Sequence, residues 1–363
     1  MLTLVIPCYN EGRSLKACVE RCLELKDVEI IIVDDCSTDN SLAVAKELVH
    51  KYSEVRLIKH EVNKGKGAAL RTGFAEAKGD YIGIQDGDLE YNPLQYTELL
   101  QPILEDKADV VFGSRYLRPS SHRVLYFWHT YMNKALTIAS NTCTNLDITD
   151  METCYKLFRR KTLLSILPKL KENRFGIEPE LTARIAQSKA RVYECAIDYQ
   201  PRSYEEGKKI GWKDGVRALY CVLHYSAHTA PLPMQLLLYF FIGSVSLLSN
   251  VAVFTVLHSF FELPSILGLN ADVVIAYVFS TLLNYLLCIA ILFRHKARWS
   301  SGGEFAIYLM GVIVMGFADY WLMLAFYAMG VPAVISKTLA ASLGFILNFV
   351  LRRNIVFPEK RKS

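Results

Sequence analysis

Four apolar runs late in the chain, Gln235–Leu257, Ala271–Phe293, Phe305–Met329 and Val331–Leu351, constrain its fold more than any other feature. Each meets the length of about 20 residues that a helix needs to span a bilayer. They follow a break in composition at Pro231-Leu232-Pro233, with 32 Lys/Arg and 31 Asp/Glu before it and nine and five after it. The apolar part therefore carries +4 of the net charge of +5. The positive balance concerns membrane topology, and nucleic acid as a partner has no support.

Basic residues set the orientation. Arg294, Lys296 and Arg298 lie between spans two and three, and Arg352, Arg353, Lys360, Arg361 and Lys362 follow span four. Residues 258–270 and the turn near Gly330 hold no Lys or Arg. The preceding domain, the middle loop and both termini are thus expected in the cytoplasm, on a multi-pass protein of the cell membrane. Asn284-Tyr285-Leu286-Leu287 through Ile291-Leu292-Phe293 is echoed 64 residues later by Asn348-Phe349-Val350-Leu351 through Ile355-Val356-Phe357, which predicts two related helical hairpins. Asp319 and Lys337 lie well inside spans three and four, where either they pair or Lys337 snorkels outward.

Before the break, short apolar runs alternate with helical patterns. Leu2–Pro7, Val28–Val33, Val55–Lys59, Tyr81–Gln85 and a run beginning at Val110 read as buried strands, and Ser14–Leu25 and Ala68–Ala77 as helices. This order predicts an α/β domain with a mostly parallel, Rossmann-like sheet whose ligands sit beyond the carboxyl ends of the strands. The nine cysteines form no CxxC pair, and Cys18 and Cys22 have ordinary core spacing, so reduced thiols are expected rather than zinc or disulfides. Met1–Pro7 is of strand length and follows no basic segment, so it does not read as a leader.

The polar clusters fall at those strand ends. Gln85-Asp86-Gly87-Asp88-Leu89-Glu90 ends a buried strand in two hard oxygen ligands one glycine apart, suited to Mg²⁺ or Mn²⁺ bound together with substrate phosphates. Asp34 or Asp35 can accept from a base edge or ribose hydroxyl, and helix capping explains one of the two equally well. Asn63-Lys64-Gly65-Lys66-Gly67 places lysines and glycines at a helix start, a diphosphate contact. Arg115, after Val110-Val111-Phe112-Gly113-Ser114, is a fixed cation for phosphate oxygens.

Taken in order, Pro7-x-Tyr9-Asn10-Glu11, Val33-Asp34-Asp35-x-Ser37-x-Asp39, Asn63-x-Gly65-Lys66-Gly67, Gln85-Asp86-Gly87-Asp88 and Gly113-Ser114-Arg115 resemble the dolichol-phosphate mannosyltransferase-like enzymes of glycosyltransferase family 2. The resemblance continues through Asp150-Met151-Glu152-Thr153-x-Tyr155-Lys156 and Arg174-Phe175-Gly176-x-Glu178-Pro179-Glu180. It implies a GT-A fold over residues 1–226, a UDP- or GDP-hexose, a divalent metal on Asp86 and Asp88, and a dolichyl or undecaprenyl phosphate acceptor. Nucleotide-sugar contacts carried over are Pro7, Tyr9, Asn10, Glu11, Asp34, Asp35, Lys66, Asp86, Gly87 and Asp88, with Arg115, Arg123 and Arg202 for the acceptor phosphate. Asp88, Arg115 and Asp150 are the expected catalytic set, Asp150 as an orienter near the reacting carbon. Residues 234–357 resemble the four-span GtrA-like domains, and a homo-oligomer is compatible with this architecture.

Two amphipathic stretches, about 123–140 and 208–226, mix aromatic with basic residues and are expected at the membrane interface, their apolar faces sunk about 5–10 Å. A processive polysaccharide synthase would need a Gln-x-x-Arg-Trp segment in the first domain, whereas Arg-Trp occurs only at Arg298-Trp299. A lipid-sugar transporter with an inactive head is the other alternative, against which Asp86, Asp88 and Arg115 stand intact.

Overall fold

The computed structural model describes residues 1–117, 124–201, 212–261, 265–266, 269–293 and 301–357. They fall into two compact units, Met1–Pro231 and Leu232–Ser363. Arg123 and Arg202 lie outside the described residues, as do the side chains of Asp319 and Lys337.

The first unit is built on seven strands: β1 (Leu2–Cys8), β2 (Val28–Asp34), β3 (Val55–Lys59), β4 (Tyr81–Ile84), β5 (Val110–Ser114), β6 (Lys156–Arg159) and β7 (Val192–Ala196). Their order across the sheet is β3-β2-β1-β4-β6-β5-β7. All pairings are parallel except those of β6, which runs antiparallel between β4 and β5, with Phe158 opposite Ile82 on one side and Val110 on the other. Every residue of β2 is buried, as expected where helices cover both faces of a sheet. The covering helices are α1 (Leu15–Cys22), α2 (Ser41–Lys51), α3 (Lys66–Glu76), α4 (Tyr96–Leu104), α5 (Phe127–Thr144), α6 (Arg160–Ile166), α7 (Ile177–Ser188) and α8 (Trp212–Ser226). This is the GT-A arrangement.

Two details of this sheet position the site. Gly83 in β4 leaves room for the Tyr96 ring, since a Cβ there would stand 2.6 Å from Tyr96 Cε1. The Tyr96 hydroxyl then donates to the Ile84 carbonyl at 2.5 Å, fixing the strand just ahead of Asp86. Because β6 is reversed, the segment that precedes it, Asp150–Tyr155, arrives at the same edge as the carboxyl ends of β4 and β5.

The second unit contains four long apolar helices, α9 (Leu232–Phe260), α10 (Ala271–Leu287), α11 (Ser301–Ala328) and α12 (Ala333–Leu351). Segments Leu232–Leu257 and Val274–Phe293 are each long and apolar enough to cross a membrane. Phe240, Leu247, Leu248, Phe317 and Trp321 are exposed, which gives this unit an apolar exterior. π-Helical turns at Cys288–Phe293 and Arg352–Val356 fall on the two echoed segments. The buried Arg352 binds both echoed asparagines: its Nε donates to Asn348 Oδ1 at 3.2 Å and its Nη1 to Asn284 Oδ1. Its guanidinium lies 4.6 Å from the Tyr308 ring centroid and 5.4 Å from that of Tyr239.

Candidate active site

A cavity of about 510 Å³ opens at the carboxyl edge of the sheet. Pro7, Tyr9 and Glu11 border it from the end of β1, Asp35 from the end of β2, and Asp86, Gly87 and Asp88 from the end of β4. Lys66 at the start of α3 and Arg115 after β5 complete the set of residues read from the sequence that line it. Asn10, Asp34 and Asp150 do not line it, each for a reason visible in its contacts.

Asn10, at φ 56°, ties two loops together: its Oδ1 accepts from the backbone N–H groups of Thr38 (2.8 Å) and Asp39 (3.3 Å). Asp34 and Asp35 are neighbours at a strand end and so face opposite ways. Asp34 is wholly buried, and one of its oxygens accepts from Ser37 N–H at 3.3 Å. Asp35 reaches the cavity wall but spends both oxygens on the loop that opens α3, accepting from Lys64 N–H at 2.9 Å and Gly65 N–H at 2.6 Å. His60 Nδ1 donates to the same carboxylate at 2.7 Å. Gly65 adopts φ +95°, and a Cβ there would stand 2.4 Å from the Asn173 carbonyl, so this turn admits glycine alone.

The turn delivers Lys66 between two carboxylates. Its Nζ lies 3.0 Å from Asp86 Oδ1 and 3.0 Å from Glu178 Oε1, the latter in the first turn of α7. Burial works against the ammonium charge, but Asp86 and Glu178 outweigh it and raise the Lys66 pKa well above its usual value.

Arg115 and Asp150 form a two-pronged ion pair, with Nε to Oδ2 and Nη2 to Oδ1 both at 2.7 Å. The Arg115 backbone N–H donates to the same carboxylate at 3.0 Å, and Asp150 is fully buried. Asp150 therefore acts on Arg115, where the sequence pointed to a residue near the reacting carbon. The guanidinium also lies 5.2 Å from the Tyr199 ring centroid, and the Tyr199 hydroxyl donates to Glu90 Oε2 at 3.0 Å.

Sequence reasoning quoted Glu152 and Glu178 within motifs but gave neither a role, although both line the cavity together with Cys154. The available signal was the motif itself, Asp150-x-Glu152-x-x-x-Lys156, in which Met151 and Glu152 form a turn ahead of β6. Burial, then the nearby Glu178, raise the Glu152 pKa to about 7.

The two amphipathic stretches form helices α5 and α8, which pack on each other. Asn133 and Leu136 of α5, and Asp214, Gly215 and Ala218 of α8, form part of the cavity wall. Glu172 anchors α8, accepting from Arg217 Nη2 at 2.8 Å and the Tyr225 hydroxyl at 2.8 Å. Burial opposes the Glu172 charge, but these bonds lower its pKa overall. At the entry to α5, Val124 is 85% exposed, Phe127 69% and Trp128 72%. The same helices thus pack on each other and on α7 while exposing aromatic side chains such as Trp128 and Tyr220.

A mostly parallel sheet with Asp-x-Asp at a strand end and fixed cations across one cavity is a GT-A-like domain, and a unit of apolar helices follows it. Residues 3–167 match the family model described as glycosyl transferase family 2, and residues 238–357 that described as GtrA/DPMS, transmembrane domain. The chain thus contains a family 2 glycosyltransferase domain followed by a GtrA/DPMS transmembrane domain. It is 38% identical over 133 residues to glycosyltransferase GlyG of Streptococcus pneumoniae, a match covering 36% of this chain and 44% of that protein, so the alignment spans less than half of that relative. It is 23% identical over 368 residues to a dolichol-phosphate mannosyltransferase of Pyrococcus furiosus, covering 98% of this chain and 99% of that one. A UDP-N-acetylglucosamine–dolichyl-phosphate N-acetylglucosaminyltransferase of Methanococcus voltae is 26% identical over 238 residues, 61% of this chain and 95% of that one.

Proposed function

We propose that the enzyme transfers a hexose from a UDP- or GDP-sugar to a polyprenyl phosphate, dolichyl or undecaprenyl, with inversion at the anomeric carbon. The observation that carries this is the makeup of the cavity wall: Asp86, Asp88, Lys66 and Arg115 share one cavity with α5 and α8, the helices that turn aromatic side chains outward. A lipid acceptor held at a membrane surface by those side chains would present its phosphate to the same space that takes the nucleotide sugar. The two long matches, to proteins named for dolichyl phosphate acceptors, support this reading.

The residues fit a hard divalent cation. Asp86 and Asp88 set carboxylates on one wall, and the Lys66 ammonium already lies against Asp86. Asp86 and Asp88 would hold Mg²⁺ or Mn²⁺, which when bound neutralises charge on the leaving nucleoside diphosphate. Arg115 is immobilised by Asp150 before any ligand arrives, so it stabilises phosphate charge without reorganising. Among the described residues none accepts from its Nη1, which is the edge offered to a ligand.

The nucleophile in this scheme is an oxygen of the acceptor phosphate, which is mostly ionised near neutral pH because its second pKa is about 6. No strong general base is needed. The bond from the anomeric carbon to the diphosphate breaks as the bond to the acceptor oxygen forms on the opposite face. We also infer a multi-pass protein with its catalytic domain on the cytoplasmic side, supported by the basic residues flanking spans two to four.

The test is a screen of UDP- and GDP-hexoses against short polyprenyl phosphates with the purified full chain in detergent. The expected result is nucleotide release that requires both the metal and the phosphorylated lipid, and a product of inverted configuration. Transfer to polyprenol or to a glycan in place of the phosphate, or a retained configuration, overturns it.

A further inference from the structure

The segment Asp150–Cys154 is clamped from both ends by cations, Arg115 at one end and the buried Lys156 at the other. At its start Asp150 is gripped by the guanidinium and the backbone N–H of Arg115. At its end the fully buried Lys156 donates from Nζ to the Met151 carbonyl at 3.1 Å and to the Thr153 carbonyl. These are the carbonyls on either side of Glu152. In between, Met151 N–H donates to Thr137 Oγ1 of α5 at 3.1 Å. A loop at a cavity is normally the mobile part of a fold, yet here both backbone neighbours of Glu152 are pinned.

The Glu152 side chain takes no part in this clamp. It lines the cavity, and its Oε1 is shielded from solvent with no hydrogen-bond partner among the described residues. Asp34 Oδ1 is orphaned in the same way, but Asp34 lies off the cavity wall. Buried polar atoms are almost always paired, so an unpaired one held rigidly on a cavity wall is kept for a partner that comes from outside the chain.

The chemistry of that partner follows from what surrounds Glu152. A phosphate would meet repulsion from Glu152 and from Glu178 on the neighbouring wall, and in the proposed function phosphate falls to the cations Lys66 and Arg115. A neutral polyol has hydroxyls that both donate to and accept from a carboxyl group. We propose that Glu152 hydrogen-bonds a hydroxyl of the hexosyl group, setting the position of the anomeric carbon and taking part in the choice of sugar. This rests on the cavity being the nucleotide-sugar site. Glu178 on α7 and Asp150 in the loop disfavour the ionised acid, while Lys156 on β6 and Arg115 after β5 favour it. Burial tips the balance, so near neutrality both the donating and the accepting forms are at hand.

The experiment compares Glu152→Ala, Glu152→Gln and wild type as the full chain in detergent, measuring binding of the free nucleoside diphosphate and of the nucleotide sugar in Mn²⁺, and steady-state kinetics with several hexose epimers. A buried hydrogen bond of this kind is worth roughly 10–100-fold in affinity. Glu152→Ala is expected to weaken the nucleotide sugar by that factor, leave the free nucleotide unchanged, and narrow the discrimination between epimers. Glu152→Gln, which keeps an amide in place of the acid, is expected to recover part of the loss. Equal weakening of nucleotide and nucleotide sugar, or an unchanged KM and epimer preference in Glu152→Ala, overturns the proposal. If the wild-type protein binds no nucleotide sugar, the underlying assignment of the cavity falls, and this proposal with it.

Discussion

The ammonium of Lys66 stands 3.0 Å from Asp86 and 3.0 Å from Glu178, so one side chain at the start of α3 joins the end of β4 to the first turn of α7. Removing it leaves two carboxylates facing each other across the gap. Loss of one member of such a buried network typically costs about 3 kcal/mol. Lys66→Met is expected to lower the melting temperature in detergent, and Glu178→Gln added to it to restore part of the loss. Strictly additive losses would show that the three groups do not act as a unit.

Asp88 is assigned to the metal and diphosphate. Asp88→Asn is expected to keep the fold and lose about 10²–10³ in rate, the usual size of one such electrostatic contact. Turnover measured at saturating Mg²⁺ and Mn²⁺ checks it, and near-normal rates would remove Asp88 from the site.

Asp150 works through Arg115. Asp150→Asn strands a guanidinium that is only 10% exposed, and breaking a pair of this kind costs about 3–5 kcal/mol. The variant is expected to melt earlier and to raise the acceptor KM, because Arg115 loses its fixed position. A normal KM in a folded Asp150→Asn protein would contradict that role.

The raised pKa of Glu152 makes stability depend on pH. Folding shifts this acid from its ordinary value of 4.5 to about 7, so the folded state holds the proton more tightly than the unfolded one. The resulting stabilisation is complete below pH 4.5 and is lost as pH rises towards 7. Glu152→Gln cannot titrate, so the stability difference between it and wild type is expected to change across that window and to level off above it. Denaturation midpoints at half-unit steps of pH are the measurement, and a constant difference would mean the acid is not shifted.

Arg352 joins the two echoed halves of the membrane domain through Asn284 and Asn348. Asn284→Ala and Asn348→Ala are each expected to cost about 1–2 kcal/mol, within the range seen for polar contacts between membrane helices. Because both bonds end on one guanidinium, the double variant is expected to cost less than the sum. Arg352→Lys should not rescue, since an ammonium has no planar fork to bridge two amides while stacking on Tyr308 and Tyr239. Melting curves of the four variants in one detergent decide this.

What the chain declared on its own follows from local pattern. Alternating apolar runs and helical periods marked the strands from β1 to β5 within a residue or two of their ends, because burial on a sheet or a helix face repeats at short, regular spacing. The break at Pro231 and the apolar runs after it were legible for the same reason, as was the placing of polar clusters at strand ends. The echo of Asn284 at Asn348 could be seen without knowing what it was for.

Tertiary structure decided the rest, wherever a role depended on a partner distant in sequence. Nothing local tells Asp34 from Asp35, yet the direction of one strand end sends one into the core and the other to the cavity wall. Asn10 is a loop tie only because Thr38 lies beside it. Asp150 meets Arg115, 35 residues away, because β6 runs antiparallel beside β5, and that same reversal brings Glu152 to the cavity. Charge pairing, burial and an unpaired oxygen belong to neighbourhoods, and neighbourhoods exist only once the chain has closed on itself.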